Sequence, residues 1–213
     1  MKRSTLTAWM AGSLLVCAMP AGAQSLGQFG GAGTLPLMGH AFGTYVDAGS
    51  HVVGFVSTLR LCFYPGVDFA FQGGLKRLDY LGADRTALRL GADFKVAAAR
   101  RSATMPVDVA FGGGLGVETG DDLSVLTLGP TAIASRSFPA GVAGSVEPYA
   151  AVGVSYTSID APGKDDTGLQ LPIRLGVEFR FAPDLRFVME LQQKLGTYYG
   201  DRGTFAVGTT FPF

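Results

Sequence analysis

The sequence is short of charge, of cysteine and of long apolar runs. Only 16% of its 213 residues are charged, whereas an ordinary soluble domain has about 25%. It contains two cysteines, Cys17 and Cys62, and no run after residue 23 reaches the roughly 18 apolar residues that a transmembrane helix needs. The composition therefore excludes a helical membrane protein and leaves little material for a disulfide framework.

Glycine is abundant instead. The chain has 31 glycines, roughly twice the usual share, and glycine at this frequency counts against helices. The apolar residues must therefore be accommodated by something other than helices.

Residues 1–23 have the three parts of a secretory signal peptide. Residues 1–3 form a basic start, residues 6–19 are mostly apolar, and residues 21–23 (Ala-Gly-Ala) are a small-residue cleavage site. After cleavage Cys62 is the single cysteine, so no intrachain disulfide is expected. The mature chain has 15 Lys and Arg against 17 Asp and Glu, and without a basic surplus no nucleic-acid partner is expected.

From about residue 40 to the C-terminus, apolar residues recur at every second position, which is the period of a β-strand. In residues 169–181 the odd-numbered positions are Leu, Ile, Val or Phe, and the even-numbered positions are Gln, Pro, Arg, Gly or Glu. The same alternation recurs at 67–75, 88–96, 107–118 and 185–195. Such a pattern gives each strand one apolar and one polar or glycine face.

The length of these patterns separates a membrane barrel from a soluble sandwich. Strands of a sandwich average five or six residues, whereas a strand tilted by about 45° crosses a bilayer with 9–11 residues, and a closed barrel is the only sheet that a bilayer tolerates. We therefore predict an all-β fold, a closed antiparallel up-and-down transmembrane β-barrel of about ten strands, with eight as the alternative. The predicted strands are 40–48, 53–64, 67–78, 85–97, 106–118, 123–137, 145–159, 167–182, 184–197 and 203–213.

An even number of strands returns both ends of the barrel to the periplasmic side. Residues 24–39 are rich in glycine, and we expect them to be the periplasmic segment through which the chain enters the barrel, or a partial plug of its lumen. Residues 40–213 are the barrel itself. Polar, mostly acidic connections at 79–84, 119–122, 160–167 and 199–203 are expected to be the outer loops. The sequence does not identify an extracellular partner for them.

The last ten residues alternate in polarity and end on an aromatic residue. Phe205, Val207, Phe211 and Phe213 share one face of this strand. Together with the leader and the barrel pattern, this ending resembles the small outer-membrane β-barrel proteins of diderm bacteria, the OmpA/OmpX-like barrels. The resemblance implies a location in the bacterial outer membrane, surrounded by its lipids, and recognition of the final strand by the barrel-assembly machinery. Pro212 at the penultimate position departs from the family pattern.

By the alternation, eight cations and seven anions point into the lumen. This near balance of sign indicates mutual pairing, because isolated charges in a narrow lumen are costly. Arg180 and Arg186 flank the turn at Pro183 as like-charged neighbours, so we expect their partners to come from across the lumen. The lumenal charges are Arg60, Asp68, Lys76, Arg89, Asp93, Lys95, Asp108, Glu118, Glu147, Arg174, Glu178, Arg180, Arg186, Glu190 and Lys194.

These features favour a structural or interaction protein whose polar lumen is largely closed. The alternatives are a narrow passive channel for ions or small solutes, a lipid-modifying or proteolytic outer-membrane enzyme, and a soluble exported β-barrel that binds apolar ligands.

The enzyme alternative would use His51 with Ser50 and Asp47 in the first outer loop, but three common loop residues carry little information. The Asp pairs at 121–122 and 165–166 are ordinary in solvated loops, although carboxylates suit calcium, and no His/Cys set has metal-ligand spacing. We therefore expect no enzymatic activity, no cofactor and no metal.

Overall fold

The computed structural model describes residues 28–80, 83–120, 122–141, 144–161, 164–196 and 203–213. The predicted signal peptide, residues 1–23, lies outside them. Regular structure within the described residues consists of β-strands, and these residues contain no helix long and apolar enough to cross a membrane. The predicted all-β fold is confirmed.

The strands are long, and the longest, β10, has 19 residues. Alternate positions are filled largely by aromatic and β-branched residues, which suit a pleated surface. The strands are β1 (His40–Ala48), β2 (Val52–Tyr64), β3 (Val67–Tyr80), β4 (Ala83–Ala99), β5 (Asp108–Gly120), β6 (Leu123–Ser135), β7 (Phe138–Ala140), β8 (Gly144–Gly153), β9 (Ser155–Ala161), β10 (Lys164–Ala182), β11 (Leu185–Gly196) and β12 (Gly203–Pro212).

The sheet closes on itself through its first and last long strands. β1 pairs antiparallel with β2 on one side and with β12 on the other, and β11 pairs with both β12 and β10. Strands β2 to β6 are neighbours in chain order, and β6 then pairs with β8 and β9, which both pair with β10. Closure removes the unpaired edges that a bilayer would not tolerate.

Strands β8 and β9 are two parts of one barrel strand. Both pair with β6 in a single register, in which Val154, the residue between them, lies opposite Pro130. Proline has no N–H to donate, so the ladder is interrupted at this position. The short strand β7 likewise continues β6, because its pairing with β8 keeps the register of the β6–β8 ladder. The barrel therefore has ten strands, as predicted.

We call the end of the barrel that carries His40 and Phe213 the proximal end and the opposite end the distal end. At the distal end, β3 and β4 continue until only residues 81 and 82 separate them, and β9 and β10 are separated only by 162 and 163. The prediction of loops at 79–84 and 160–167 is therefore wrong, because the antiparallel ladder continues into these segments. Arg77 and Asp84 form an exposed ion pair on the extended β3–β4 hairpin.

The two faces of the barrel wall have opposite polarity. Along β10, Leu169, Leu175 and Phe181 point outward and are 64%, 54% and 64% exposed, whereas Gln170 and Glu178 point inward and are 3% and 5% exposed. An outer surface this apolar would aggregate in water, and it is the surface that a bilayer requires. The wall therefore belongs to a membrane-spanning barrel, which excludes the soluble, apolar-ligand alternative.

Phenylalanine rings are frequent on the outer face near the proximal end. Phe63, Phe181, Phe211 and Phe213 are each at least 44% exposed, in the arrangement of an aromatic belt at a membrane interface. The Phe213 backbone exchanges two hydrogen bonds with His40, and the two rings stack with centroids 5.6 Å apart. The last residue thus extends the contact between the first and last barrel strands.

Candidate functional site in the lumen

The inward face of the barrel carries all of the predicted lumenal charges. Asp108 lies at the proximal rim, opposite the lumenal Ser135 in the β5–β6 ladder, and directly paired residues share one face of a sheet. It is half-buried, and its Oδ1 accepts a hydrogen bond of 2.7 Å from the backbone N–H of Arg101 in the proximal connection 100–107.

Asp47 is a lumenal carboxylate that the sequence analysis assigned to a loop. It lies in β1, is fully buried, and its Oδ1 is 3.5 Å from Nη1 of Arg89. The alternation of β1 contained the necessary signal, since Ala41, Tyr45 and Asp47 are all inward and buried. With Asp47 added to the predicted set, the lumenal face carries eight cations and eight anions.

Ion pairs in the distal half of the lumen join several strands. Lys76 Nζ lies 3.0 Å from Glu118 Oε2, and Arg89 Nε lies 3.8 Å from the other oxygen of Glu118. With Asp47, these residues link β1, β3, β4 and β5. Lys194 of β11 is 4% exposed and faces the same group. Each ion pair here is almost fully enclosed, so it is screened far less than a surface pair.

A second group of ion pairs lies in the proximal half. Arg180 and Arg186 are directly opposite each other in the β10–β11 ladder, and both bind Glu178, at 2.8 Å and 3.4 Å. Arg180 also lies 2.6 Å from Glu147 of β8. The expectation that their partners come from across the lumen is wrong, because the carboxylates belong to the same or an adjacent strand.

Three further pairs complete the proximal group. Arg60 Nη2 lies 2.8 Å from Asp93. Lys95 is 3.8 Å from Asp68, and Arg174 is 4.0 Å from Glu190, and both distances are too long for a hydrogen bond. Lys95 and Arg174 are therefore the cations whose charge-assisted hydrogen bonds must be completed by other acceptors.

Those acceptors come from residues 28–35, which we call the N-terminal segment. Lys95 Nζ donates to the carbonyl oxygens of Gly31 and Gly33, at 3.1 Å and 2.5 Å, and Arg174 donates to the carbonyl oxygen of Gln28. The segment lies inside the proximal half of the barrel, with Gln28, Phe29, Ala32 and Leu35 buried. It crosses between β3 and β4 on one side of the lumen and β8 and β10 on the other.

Backbone N–H groups of the same segment donate to lumenal side chains. The N–H of Gly30 donates to the Tyr149 hydroxyl at 3.3 Å, and that of Ala32 donates to Ser135 Oγ at 2.9 Å. The N–H of Leu35 donates to Asp68 Oδ1 at 3.0 Å. The wall therefore contacts both the donors and the acceptors of the segment backbone.

Side chains and glycines fix the position of the segment. Phe29 stacks on Tyr45, and Leu35 packs with Ala41 and Cys62. A Cβ atom on Gly31 would lie 2.2 Å from Glu147 Oε1, so a side chain there would have to displace this carboxylate from its bonds to Ser135 and Arg180. Sequence analysis missed Tyr45, Tyr149 and Ser135, although their polar groups occupy inward positions in their strands.

The distal end of the lumen is lined on one side by apolar side chains. Seven residues form this buried cluster, and it spans β2, β3, β4, β6 and β9: Val52, Leu78, Ala87, Leu123, Val125, Ile159 and Ala161. Apolar surroundings lower the local dielectric constant and strengthen electrostatic interactions, so this side of the distal lumen favours paired charges over isolated ones.

The residues of the enzyme alternative point in different directions. Asp47 is buried in the lumen beside Arg89, whereas Ser50 and His51 are exposed in the turn between β1 and β2. Asp121 lies outside the described residues. Among the residues that the structure describes, no group of three His, Cys, Asp or Glu side chains could hold a metal ion, and Cys62 is a free, buried thiol.

No family model and no curated protein sequence matches this chain. Solved structures with a similar outline include the N-terminal β-barrel domain of Pseudomonas aeruginosa OprF, at 12% identity over 83% of this chain and 98% of that chain, with a TM-score of 0.40. The β domain of the Bordetella autotransporter BrkA is 10% identical over 82% and 98% of the two chains, with a TM-score of 0.46. LpxR from Salmonella typhimurium is 10% identical over 84% and 85%, with a TM-score of 0.45.

The class of the protein follows from its own barrel. Ten antiparallel strands close without an edge, the outer wall is apolar with an aromatic belt, and the inner wall is charged. These are the defining features of barrels that span the bacterial outer membrane. The protein is an integral outer-membrane β-barrel in contact with the lipids of that membrane.

Proposed function

We propose that this barrel is a structural or interaction protein whose lumen is closed at rest, and that it is not an enzyme. The observation that carries the proposal is the N-terminal segment, whose backbone is hydrogen-bonded to both sides of the lumen. Between this segment and the wall, a cavity of about 40 Å³ is lined by Phe29, Tyr45, Arg60, Lys95 and Glu178 among others. A space of that size holds a few waters and no larger solute.

The energetics of the charges support a closed lumen. Charges enclosed away from bulk water persist only when they are paired and hydrogen-bonded. Seven of the lumenal cations are bound by carboxylates or by carbonyl groups of the segment: Arg60, Lys76, Arg89, Lys95, Arg174, Arg180 and Arg186. A barrel of this size has an interior that side chains can nearly fill. The segment fills the part of the proximal half that the side chains leave open.

Planar-bilayer recording of the purified mature protein tests this proposal. We expect little or no steady conductance, because the segment lies across the proximal lumen and is hydrogen-bonded to both of its sides. A large, stable and ion-selective conductance from the unmodified protein would contradict the closed state and favour the passive-channel alternative. Migration on unheated gels checks that the protein is folded, since a folded barrel and its unfolded chain migrate differently.

We further propose that β12 is read by the barrel-assembly machinery. Phe205, Phe211 and Phe213 are exposed on the outward face of this strand, with Val207 on the same face. Their spacing at every second position, interrupted by Thr209, gives β12 an apolar face that a partner could contact before β12 pairs with β1.

A further inference from the structure

We infer that the proximal lumen is a binding site for a bent, glycine-rich peptide, occupied in this chain by the N-terminal segment and able to take the same peptide from solution. The inference rests on the proposed function and names the kind of ligand that closes the lumen. The site would face the periplasm, since the proximal end carries the ends of the barrel.

The first argument is that the segment is held as a ligand is held. The barrel closes through β1 and β12, and the described bonds of the segment backbone to the wall involve the side chains of Asp68, Lys95, Ser135, Tyr149 and Arg174. Its removal therefore breaks no pairing within the sheet.

The second argument is that the wall recognises a peptide backbone. Three carbonyls of the segment, at residues 28, 31 and 33, accept from Arg174 and Lys95. Three N–H groups, at residues 30, 32 and 35, donate to Tyr149, Ser135 and Asp68. The lumen wall thus supplies acceptors for the N–H groups and donors for the carbonyl groups of the segment. A site of this kind binds a peptide backbone largely without regard to its side chains.

The third argument concerns the few side chains that the site does select. Phe29 stacks on Tyr45 with a centroid distance of 4.0 Å. Gly30 has φ of +108°, a conformation that favours glycine, and Gly31 has no room for a Cβ beside Glu147. A Cβ on Gly33 would lie 3.7 Å from Arg180, at ordinary contact distance. The preferred ligand is therefore a peptide with Phe followed by two glycines.

The wall is shaped for the same ligand. Gly112 of β5 faces the lumen, and a Cβ there would lie 2.5 Å from the Phe94 carbonyl oxygen of the wall and 3.0 Å from Gln28 Nε2. Gln28 Nε2 donates to the backbone carbonyls of Phe94 and Gly113 at 3.3 Å. The lack of a side chain at Gly112 gives Gln28 access to these carbonyls.

The test uses the complete folded chain. A protease site is inserted between Leu37 and Met38, which are 55% and 63% exposed at the proximal end, and the chain is cut after folding. We expect the released segment to stay bound, and a labelled synthetic peptide of residues 28–37 to exchange into the site. Gel migration without heating shows that the barrel remains folded.

Two peptide variants make the exchange specific. The Gly31→Ala peptide should bind at least about tenfold more weakly, whereas the Gly33→Ala peptide should bind within about threefold of the parent. Equal binding by all three peptides, or loss of the cut segment with no rebinding by the parent peptide, would overturn the inference. Neither result depends on whether the uncut protein conducts, which is the separate test of the closed lumen.

Discussion

Phe29 stacks on Tyr45 inside the barrel, with the ring centroids 4.0 Å apart and the ring planes inclined by 16°. The Tyr45 hydroxyl is in turn hydrogen-bonded to Thr210 Oγ1 at 2.6 Å. Because Tyr45 lies in β1 and Thr210 in β12, the N-terminal segment is attached directly at the seam where the barrel closes. Loosening this contact should therefore affect both the segment and the stability of the closed barrel.

We predict that Phe29→Ala makes the N-terminal segment accessible to protease and lowers the thermal stability of the barrel. Removing a buried Phe side chain typically costs about 3–5 kcal/mol, and hydration of the lumen reduces this figure. The rate of cleavage upstream of His40 in folded protein is the measurement. Phe42→Ala is the control, since Phe42 lies on the lipid face of β1, the strand that carries Tyr45, and is 42% exposed. Equal cleavage rates in the two variants would show that Phe29 does not hold the segment.

We predict that Leu175→Arg prevents insertion. Leu175 is at the middle of the outward series of β10 and is 54% exposed, and an arginine at the bilayer midplane costs about 2–4 kcal/mol. Asp79→Arg introduces the same side chain on the extended distal part of β3, where the outer face is already polar, and should fold normally. The measurement is the yield of folding into liposomes. Similar yields would mean that the lipid-facing surface has been assigned wrongly.

We predict that Glu118→Gln lowers the melting temperature of the folded barrel. Glu118 is 1% exposed and lies within ion-pair distance of both Lys76 and Arg89. Loss of one member of a buried ion pair costs about 3–5 kcal/mol, less where water reaches the lumen. Asp84→Asn is the control, because it removes an exposed carboxylate from the Arg77 pair and exposed pairs contribute little. An unchanged melting temperature for Glu118→Gln would indicate that the distal charges are hydrated.

We predict that deletion of Phe213 lowers the amount of barrel in the outer membrane of cells and leaves folding in detergent largely intact. The expected reason is loss of the terminal aromatic residue from the strand that the assembly machinery reads. Phe213→Tyr keeps an aromatic ring and should restore cellular levels. Normal levels after the deletion would remove the strongest support for β12 as the assembly signal.

The barrel could be predicted because its signal is local. In β10, the alternation of Leu175 with Arg174 and Gly176 alone determines which residues face lipid, whatever the neighbouring strands are. The interruption at Val154 could not be read from its own strand, since Pro130 on β6 causes it. Asp47 was left out of the lumenal set because it was assigned to the first outer loop, although the alternation of β1 already places it inward.

The binding of the N-terminal segment lay beyond sequence analysis for a different reason. Residues 24–39 have no periodicity, and their glycines fit many conformations equally well. The position of residues 28–35 depends on Lys95, Ser135 and Arg174. These three side chains come together only when β4, β6 and β10 enclose the same space. The sequence therefore indicated a segment near the barrel and left open whether it lay inside.

The pairing of β1 with β12 also determines when the protein can fold. Ala41 pairs with Pro212 and Ala48 with Phe205, so the contact that closes the cylinder joins residues separated by almost the whole mature chain. Contacts of such high sequence separation form slowly, and this one requires that the C-terminal strand has already crossed the inner membrane. Until then both terminal strands expose unpaired edges and apolar faces, the condition in which β-proteins aggregate. The chain is therefore most exposed to aggregation before this ladder forms, and the ladder that completes the barrel also ends that exposure.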